Sequence, residues 1–525
     1  MGIYLNPGNE NFKRIINAEI FVDKTMMIRD TNKLINSTNN LICVSRPRRF
    51  GKTIAQNMLT AYYSKGCDSR ELFSGYMIEQ EPSFEKHLNM YNVIKIDMNS
   101  EYQSIEDKDV LIKSITDSIK EEMRVAFPQI MLDNNDTLAR SIQKIHYGTG
   151  ETFIVIIDEY DVLVREQVSQ KLFDDFLSFL NGLFKSDTLS PAISLAYLTG
   201  ILPIVRDKVQ SKLNNFREYT FISPGKFAPH IGFTSDEVRK LCEEYNVDFE
   251  ECRHWYDGYE LGGYEIYNPE SVVMCIEEGY YEGYWGKTSS YQVISDRIEQ
   301  NFEGLKDDVV RMLSGEAVDV NVSSYMNTMN SFNSKNDVFT YLSHLGYLSY
   351  NRDEKTCHIP NREIRQEWLN AIEPNKDYRV TNDIIKASKE LLNKTIDEDA
   401  EAVAKALDIS HIHIASNRSY NNKDVLQSAI YLAYIYALNK YTVIREATAG
   451  KGFADVVFVP YEPKLPAMVI ELKSNKTAQS GLKQIKDKKY YESLELYKGN
   501  MLLVGINYDE DSKEHSCVIE RYVKE

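Results

Sequence analysis

Phe153 to Ile157 is an unbroken apolar run that stops abruptly at Asp158-Glu159. A strand that is apolar at every position has both faces covered, which places it inside a parallel sheet flanked by helices. Residues 39–45 and Ile193 to Thr199 have the same character, and Val93 to Met98 reads as a further strand. Apolar residues at three-to-four spacing predict helices over 106–126, 137–146 and 167–186. Strands alternating with helices imply a parallel α/β sheet over the first part of the chain.

The loop after the 39–45 strand narrows the possibilities further. Arg46-Pro47-Arg48-Arg49-Phe50-Gly51-Lys52-Thr53 runs straight into helix-compatible sequence. A phosphate-binding loop needs a glycine turn that frees backbone N–H groups, a lysine for the β/γ-phosphates and a hydroxyl for Mg²⁺. The helix behind such a loop turns its positive end to the anion. Gly51, Lys52 and Thr53 meet these needs, although Arg46 stands where the strict motif has its first glycine. Residues 48–53 are therefore the expected ATP-binding segment: Arg48, Arg49, Phe50, Gly51, Lys52 and Thr53. Asp158 joins Thr53 as the expected Mg²⁺ holder, Glu159 would orient or activate the attacking water, and Thr199 would sense the γ-phosphate.

A second constellation lies near the other end. Strands are expected at 441–447, 453–459 and 467–473, a helix at 424–439, another at 478–496, and strands at 500–506 and 516–523. This order puts Asp455 and Glu471 on adjacent strands, where two carboxylates can converge on Mg²⁺. Lys473, two residues past Glu471, shares its face of the strand. A lysine there can position the attacking water and stabilise charge on a phosphodiester. Glu446 on the preceding strand is a further candidate ligand, and Gln484 on the next helix would support water or phosphate. The Gly450-Lys451-Gly452 turn also reads simply as a hairpin.

At 525 residues the chain needs more than one core. The boundaries expected are 1–225 for the nucleotide-binding part, 226–372 for a helical, winged-helix-like linking segment and 380–525 for the carboxylate-bearing α/β part. Seven scattered cysteines without a Cys-x-x-Cys argue against structural zinc. No apolar run reaches the ~20 residues of a membrane span, and the N-terminus lacks a secretory signal, so a cytoplasmic protein without membrane contact is expected. A net charge of −17 counts against whole-surface nucleic-acid binding. It leaves room for local basic faces, because charges interact over only ~8–10 Å in salt. Two such faces abut the sites: Arg46, Arg48, Arg49 and Lys52, and Lys473, Lys476, Lys483, Lys486, Lys488 and Lys489.

With these residues in view, the chain resembles a bacterial and archaeal family that joins an AAA-ATPase-like domain to a C-terminal PD-(D/E)XK nuclease-superfamily domain. The resemblance rests on residues 21–25 (Phe-Val-Asp-Lys-Thr), 46–53, and 157–161 (Ile-Asp-Glu-Tyr-Asp). In the middle it rests on Thr199-Gly200-Ile201, Leu213-Asn214-Asn215, Tyr256-Asp257-Gly258-Tyr259 and Tyr267-Asn268-Pro269. At the C-terminal end it rests on Gly452-Phe453-Ala454-Asp455, Ile470 to Lys473 and Gln484-Ile485. The family's usual loop carries the same Arg-Pro-Arg-Arg-Phe-Gly-Lys form. It commonly has Gly-Arg before the metal aspartate, where this chain has Phe453-Ala454. The first-helix acid of many such nucleases has Asp424 as its nearest candidate.

The resemblance implies an α/β protein in three parts: an N-terminal P-loop parallel sheet, a helical and winged-helix-like middle, and a C-terminal restriction-endonuclease-like domain. Its implied cofactors are ATP and Mg²⁺. Its implied activity is an ATPase whose nucleotide state governs a Mg²⁺-dependent nuclease acting on DNA or RNA through Asp455, Glu471, Lys473 and Gln484. The expected partner is nucleic acid, DNA before RNA, at the C-terminal domain, with self-association through the ATPase domain. An alternative is an ATP-dependent switch that binds nucleic acid or protein without cutting.

Overall fold

The computed structural model describes residues 2–204, 215–287, 291–300, 302–325, 332–374, 378–414, 430–431, 433–449, 452–461, 464–494, 497 and 499–522. Contacts divide the chain into two compact units. One is Met1–Ser289 with Asp319–Ile364, and the other is Ser290–Val318 with Arg365–Glu525.

The first unit is built on β1 (Leu41–Ser45), α1 (Lys52–Tyr63), β2 (Asn92–Asp97), α2 (Leu111–Ala126), α3 (Leu138–Thr149), β3 (Phe153–Asp158), α4 (Val162–Arg165), α5 (Gln170–Phe184), β4 (Ile193–Gly200) and β5 (Arg217–Tyr219). The strands form one sheet in the order β2-β3-β4-β1-β5, every neighbour parallel. Every residue of β3 and β4 is buried, as the apolar runs require. Leu111, Ile115, Ile119 and Met123 recur at four-residue intervals along α2. They pack with Ile142 and Ile145 of α3 and Phe176 and Leu180 of α5 against Ile94, Ile96, Val155 and Ile157. Helix α1 packs against β2, β3 and β4. Thr137 and Ser169 start α3 and α5 by accepting the first-turn N–H groups of Arg140 and Leu172, which have no partner within the helix.

Beyond β5 the same unit continues through α6 (Ser235–Tyr245), α7 (Phe249–Tyr256), β6 (Tyr259–Leu261), β7 (Tyr264–Tyr267), α8 (Pro269–Glu278) and α9 (Lys335–Leu345). A short hairpin, Ser349–Asn351 with Thr356–His358, then leads to α10 (Arg362–Ile372). Glu363, in the first turn of α10, is buried. Its carboxylate accepts the Ser271 hydroxyl and the backbone N–H groups of Tyr284 and Trp285. A buried carboxylate with three donors is stable where a lone one is not.

The second unit holds α11 (Arg379–Ile396), α12 (Ala400–Ile414), β8 (Tyr441–Ala449), β9 (Gly452–Pro460), β10 (Ala467–Ser474), α13 (Ala478–Lys488), β11 (Met501–Asp509) and β12 (Glu514–Tyr522). The five strands form a mixed sheet in sequence order, with only β10 and β11 parallel. The parallel step is where α13 crosses over. Helix α13 lies close on the sheet because Gly505 has no side chain: a Cβ there would sit 2.2 Å from the Ala478 carbonyl. The helix expected to reach 496 stops at Lys488. Lys489 adopts the left-handed conformation (φ 54°), and a tight turn, Tyr490–Leu494, comes next. Residues 424–429 and 432 of the helix expected at 424–439, Asp424 among them, lie outside the described residues, and Ile435–Asn439 is a 3₁₀ turn. Gly450, Lys451, Leu213 and Asn214 also lie outside them. Among the described residues, no helix is long and apolar enough to cross a membrane.

Candidate functional sites

The phosphate-type loop leaves β1 at Ser45 and enters α1 at Lys52. Gly51 closes it with φ 93°, a conformation that costs a non-glycine residue about 1 kcal/mol or more. Lys52 is only 5% exposed, and its ammonium donates to the Pro47 carbonyl at 3.0 Å. Burial lowers its pKa, and the nearby carboxylates of Glu159, Asp158 and Asp161 partly restore it. The Thr53 hydroxyl donates to Asp158 Oδ2 at 2.9 Å. Asp158 ends β3, and Asp97 stands across from it at the end of β2. Burial, reinforced by the charge of Glu159, raises the Asp158 pKa to about 6 against the pull of Thr53 and Lys52.

Arg46 turns its buried guanidinium beneath the loop. It donates to the carbonyls of Ser45 (2.8 Å), Tyr219 (3.0 Å) and Phe227 (3.1 Å). Burial brings its pKa down to about 10, still charged at neutral pH. A glycine at this position would leave those carbonyls without this donor. Phe50 is likewise an anchor. Its ring meets Phe221 and Tyr259 edge-on at 5.5 and 5.6 Å, and its carbonyl accepts the Gly232 N–H at 2.9 Å. Arg49 pairs with Glu270, while Arg48 is exposed. Pro47 packs under Gly346, whose missing Cβ would lie 2.9 Å from the proline ring. Thr199 gives its hydroxyl hydrogen to the Val44 carbonyl at 2.9 Å and is fully buried. That hydrogen bond joins β4 to β1.

The second site lies on the mixed sheet. Asp455 on β9 and Glu471 on β10 are 4% and 1% exposed. Extending the Val456–Ile470 pairing by one step sets them across from each other. Asp455 Oδ2 accepts the Leu472 N–H at 2.8 Å, which fixes one oxygen. Lys473 Nζ donates to Glu471 Oε1 and to Gln484 Oε1, both at 2.7 Å. Gln484 closes the triangle by donating Nε2–H to Glu471 Oε1 at 2.6 Å. The same amide lies 3.1 Å from the Tyr490 hydroxyl. Tyr490 is not signalled by the sequence; its place depends on the left-handed residue at 489, which nothing in the local pattern announces. Glu446 lies on β8, and its side chain falls outside the described residues.

The donors suit a hard cation. Two carboxylates face each other across neighbouring strands, with the Lys473 side chain bonded to one of them. Among the described residues no cluster of three or more His, Cys, Asp or Glu forms a metal-ligand group. Mg²⁺ held by two carboxylates would complete its shell with water, as that ion commonly does. On the basic helix, Lys486 is paired with Glu520 at 2.7 Å, whereas Lys483 and Lys488 are exposed.

The all-parallel sheet with its glycine–lysine–threonine loop, and the mixed sheet with its Asp/Glu/Lys face, define an α/β protein that carries a P-loop domain and a restriction-endonuclease-like domain. Residues 7–210 match the family model described as "Predicted AAA-ATPase", and residues 422–516 match that of the PD-(D/E)XK nuclease superfamily. The chain therefore joins an AAA-ATPase-like domain to a PD-(D/E)XK nuclease-superfamily domain. It is 23% identical over 268 residues to an uncharacterized protein in the vnfD 5′ region of Azotobacter chroococcum mcd 1, a match spanning 49% of each chain. Among solved structures it is similar to C. elegans PCH-2 (14% identity, TM-score 0.24), over 47% of this chain and 53% of that one. It is also similar to AMPPCP-bound DnaA from Aquifex aeolicus (11% identity, TM-score 0.27), over 81% and 96%.

Proposed function

We propose that this protein binds and hydrolyses ATP at Lys52, Thr53, Asp158 and Glu159, and that its nucleotide state regulates Mg²⁺-dependent cleavage of nucleic acid at Asp455, Glu471 and Lys473. The observation that carries the reading is the Glu471–Lys473–Gln484 triangle beside Asp455. A lysine held by a glutamine and a carboxylate is already placed for a phosphodiester, so little reorganisation remains for the reaction itself.

Asp455 and Glu471 would hold one or two Mg²⁺ ions, with Thr53 and Asp158 holding a separate ion at the nucleotide. When bound, Mg²⁺ supplies positive charge that neutralises phosphate and acidifies water. Lys473 faces the scissile phosphate and stabilises the charge that grows there. Gln484 keeps the lysine and Glu471 in register. At the first site Lys52 would bind the β/γ-phosphates, Arg48, exposed on the same loop, would add charge to the anion, and Glu159 would orient the attacking water.

Coupling is supported by the ties of the loop itself. Arg46, Pro47, Arg49 and Phe50 each contact residues between 219 and 346 in the first unit. A phosphate that draws Lys52 off the Pro47 carbonyl moves a loop bonded to all of them.

The test is a cleavage assay on single- and double-stranded DNA and RNA, with Mg²⁺ or Mn²⁺, with and without ATP. Metal-dependent cutting that responds to ATP supports the reading. Tight nucleic-acid binding without cutting under every condition would favour a non-cutting switch.

A further inference from the structure

The turn after β3 is unusually fixed. Glu159 has φ 50°, a left-handed conformation for a residue with a side chain. The Tyr160 N–H reaches the Thr199 carbonyl at 3.2 Å. The Asp161 carboxylate accepts the N–H groups of Ile201 (3.0 Å) and Leu202 (2.8 Å), which ties the turn to the end of β4. It also lies over Gly200, where a Cβ would come within 2.4 Å of Asp161 Oδ1. The turn carrying Glu159 is thus welded to the strand beside it.

One cation bridges this turn. Arg165, the last residue of α4, is mostly buried. Its Nη2 bonds Glu159 Oε2, and its Nε lies 3.3 Å from Asp161 Oδ2. The other Glu159 oxygen, Oε1, is 3.8 Å from Lys52 Nζ. Glu159 is therefore held between two positive charges, one at each oxygen. A nucleotide phosphate would claim Lys52, leaving Arg165 as the cation that fixes the carboxylate.

We propose that Arg165 is a positioning residue for ATP hydrolysis: anchored on Asp161, it holds Glu159 Oε2 so that Glu159 neither collapses onto Lys52 nor turns from the attacking water. The inference rests on the nucleotide-site reading above. In the step served, a water oxygen forms a bond to the γ-phosphorus while the bond from that phosphorus to the bridging oxygen breaks. The electron pair leaves with ADP, and the water proton passes to Glu159 Oε1. Arg165 touches neither phosphate nor water in this scheme. It acts through Glu159.

That makes a double-mutant comparison decisive. ATP turnover and the Kd for a non-hydrolysable ATP analogue would be measured on the full chain for wild type, R165A, R165Q, R165K, E159Q and E159Q/R165A. R165A is expected to lower kcat by about 10²-fold, in the range of losing a positioned general base. It should raise the analogue Kd several-fold, because the released carboxylate is free to pair with Lys52. R165K should recover part of both losses, since it keeps the charge but not the fork that spans two carboxylates. In the E159Q background R165A should change neither quantity further. If R165A fails to fold, R165Q and R165K carry the same comparison. Wild-type turnover and affinity in R165A, or equal R165A effects with and without Glu159, would overturn the proposal. If wild type binds but does not hydrolyse, the Kd arm alone decides. Wild type that binds no ATP would remove the nucleotide-site reading itself, and the proposal with it.

Discussion

The two sites use similar side chains, a lysine beside a glutamate, but the chain assembles them over very different distances. In the carboxylate site Glu471 and Lys473 are two residues apart on one strand, Asp455 is on the adjacent strand, and Gln484 is on the next helix. In the phosphate loop Thr53 meets Asp158 across 105 residues, and Arg46 reaches Tyr219 and Phe227 across 173 and 181. A site made from neighbouring strands can be altered one group at a time with its frame intact. A site whose loop is bonded to remote segments cannot change without disturbing them. The first arrangement suits a fixed chemical centre, and the second suits a sensor.

The comparison breaks first, and with the largest effect, at the carboxylate site. Asp455→Ala or Glu471→Ala should cost metal occupancy in a titration and lower cleavage by ~10²-fold or more, the scale of losing one preorganised electrostatic group. Lys473→Ala should lose cleavage on the same scale while metal still binds, because its charge is used mainly in the transition state. All three variants should stay folded by circular dichroism.

Next comes the nucleotide site. Lys52→Ala should abolish measurable ATP binding by calorimetry. Glu159→Gln should bind ATP and hydrolyse it about 10²-fold more slowly, having kept its shape and lost its base. Wild-type ATP affinity in Lys52→Ala would remove the phosphate-loop assignment.

The contrast sharpens at Arg46. Arg46→Met keeps much of the buried volume but strips the donors from the Tyr219 and Phe227 carbonyls. Leaving buried acceptors unmatched costs roughly 1–3 kcal/mol each, so the first unit should lose about 3 kcal/mol. The measurement is denaturant unfolding followed in that unit's own transition, since a chain of two units need not unfold in one step. An unchanged midpoint would mean that the loop is not tied to the remote segments as described. The smallest effect belongs to the basic helix. Lys483→Glu with Lys488→Glu should flatten the salt dependence of nucleic-acid binding by about one unit of slope per lysine that meets phosphate. An unchanged slope would make these lysines an ordinary solvated face.

The same contrast explains which features are legible in the sequence. Spacing by two along a strand states a shared face directly, so Glu471 and Lys473 are legible, as is Asp455 once three strands are recognised. The apolar runs of β3 and β4 announce a parallel sheet because burial on both faces leaves no polar position. Arg46 reads only as a missing glycine, since its acceptors lie on β5 and in the 225–230 turn, far along the chain. Phe50 and Thr199 are expected near nucleotide. The structure gives Phe50 to an aromatic anchor and the Thr199 hydroxyl to the sheet, and both partners are set by tertiary packing. Arg165 stands four residues after Asp161, a spacing that suggests an ion pair, but its grip on Glu159 depends on a left-handed turn that local sequence does not reveal. Tyr490 is hidden for the same kind of reason, a left-handed Lys489.

Whether one chain senses ATP at Lys52 and cuts nucleic acid at Lys473 is tested most directly by metal-dependent cleavage rates for wild type, Lys52→Ala and Lys473→Ala, each with and without ATP. Wild type is expected to cut only with divalent metal and at a rate that ATP changes. Lys473→Ala should be inactive in every condition, and Lys52→Ala should cut at a rate indifferent to ATP. Equal cleavage by wild type and Lys473→Ala, or an ATP response that survives Lys52→Ala, would contradict this division of labour.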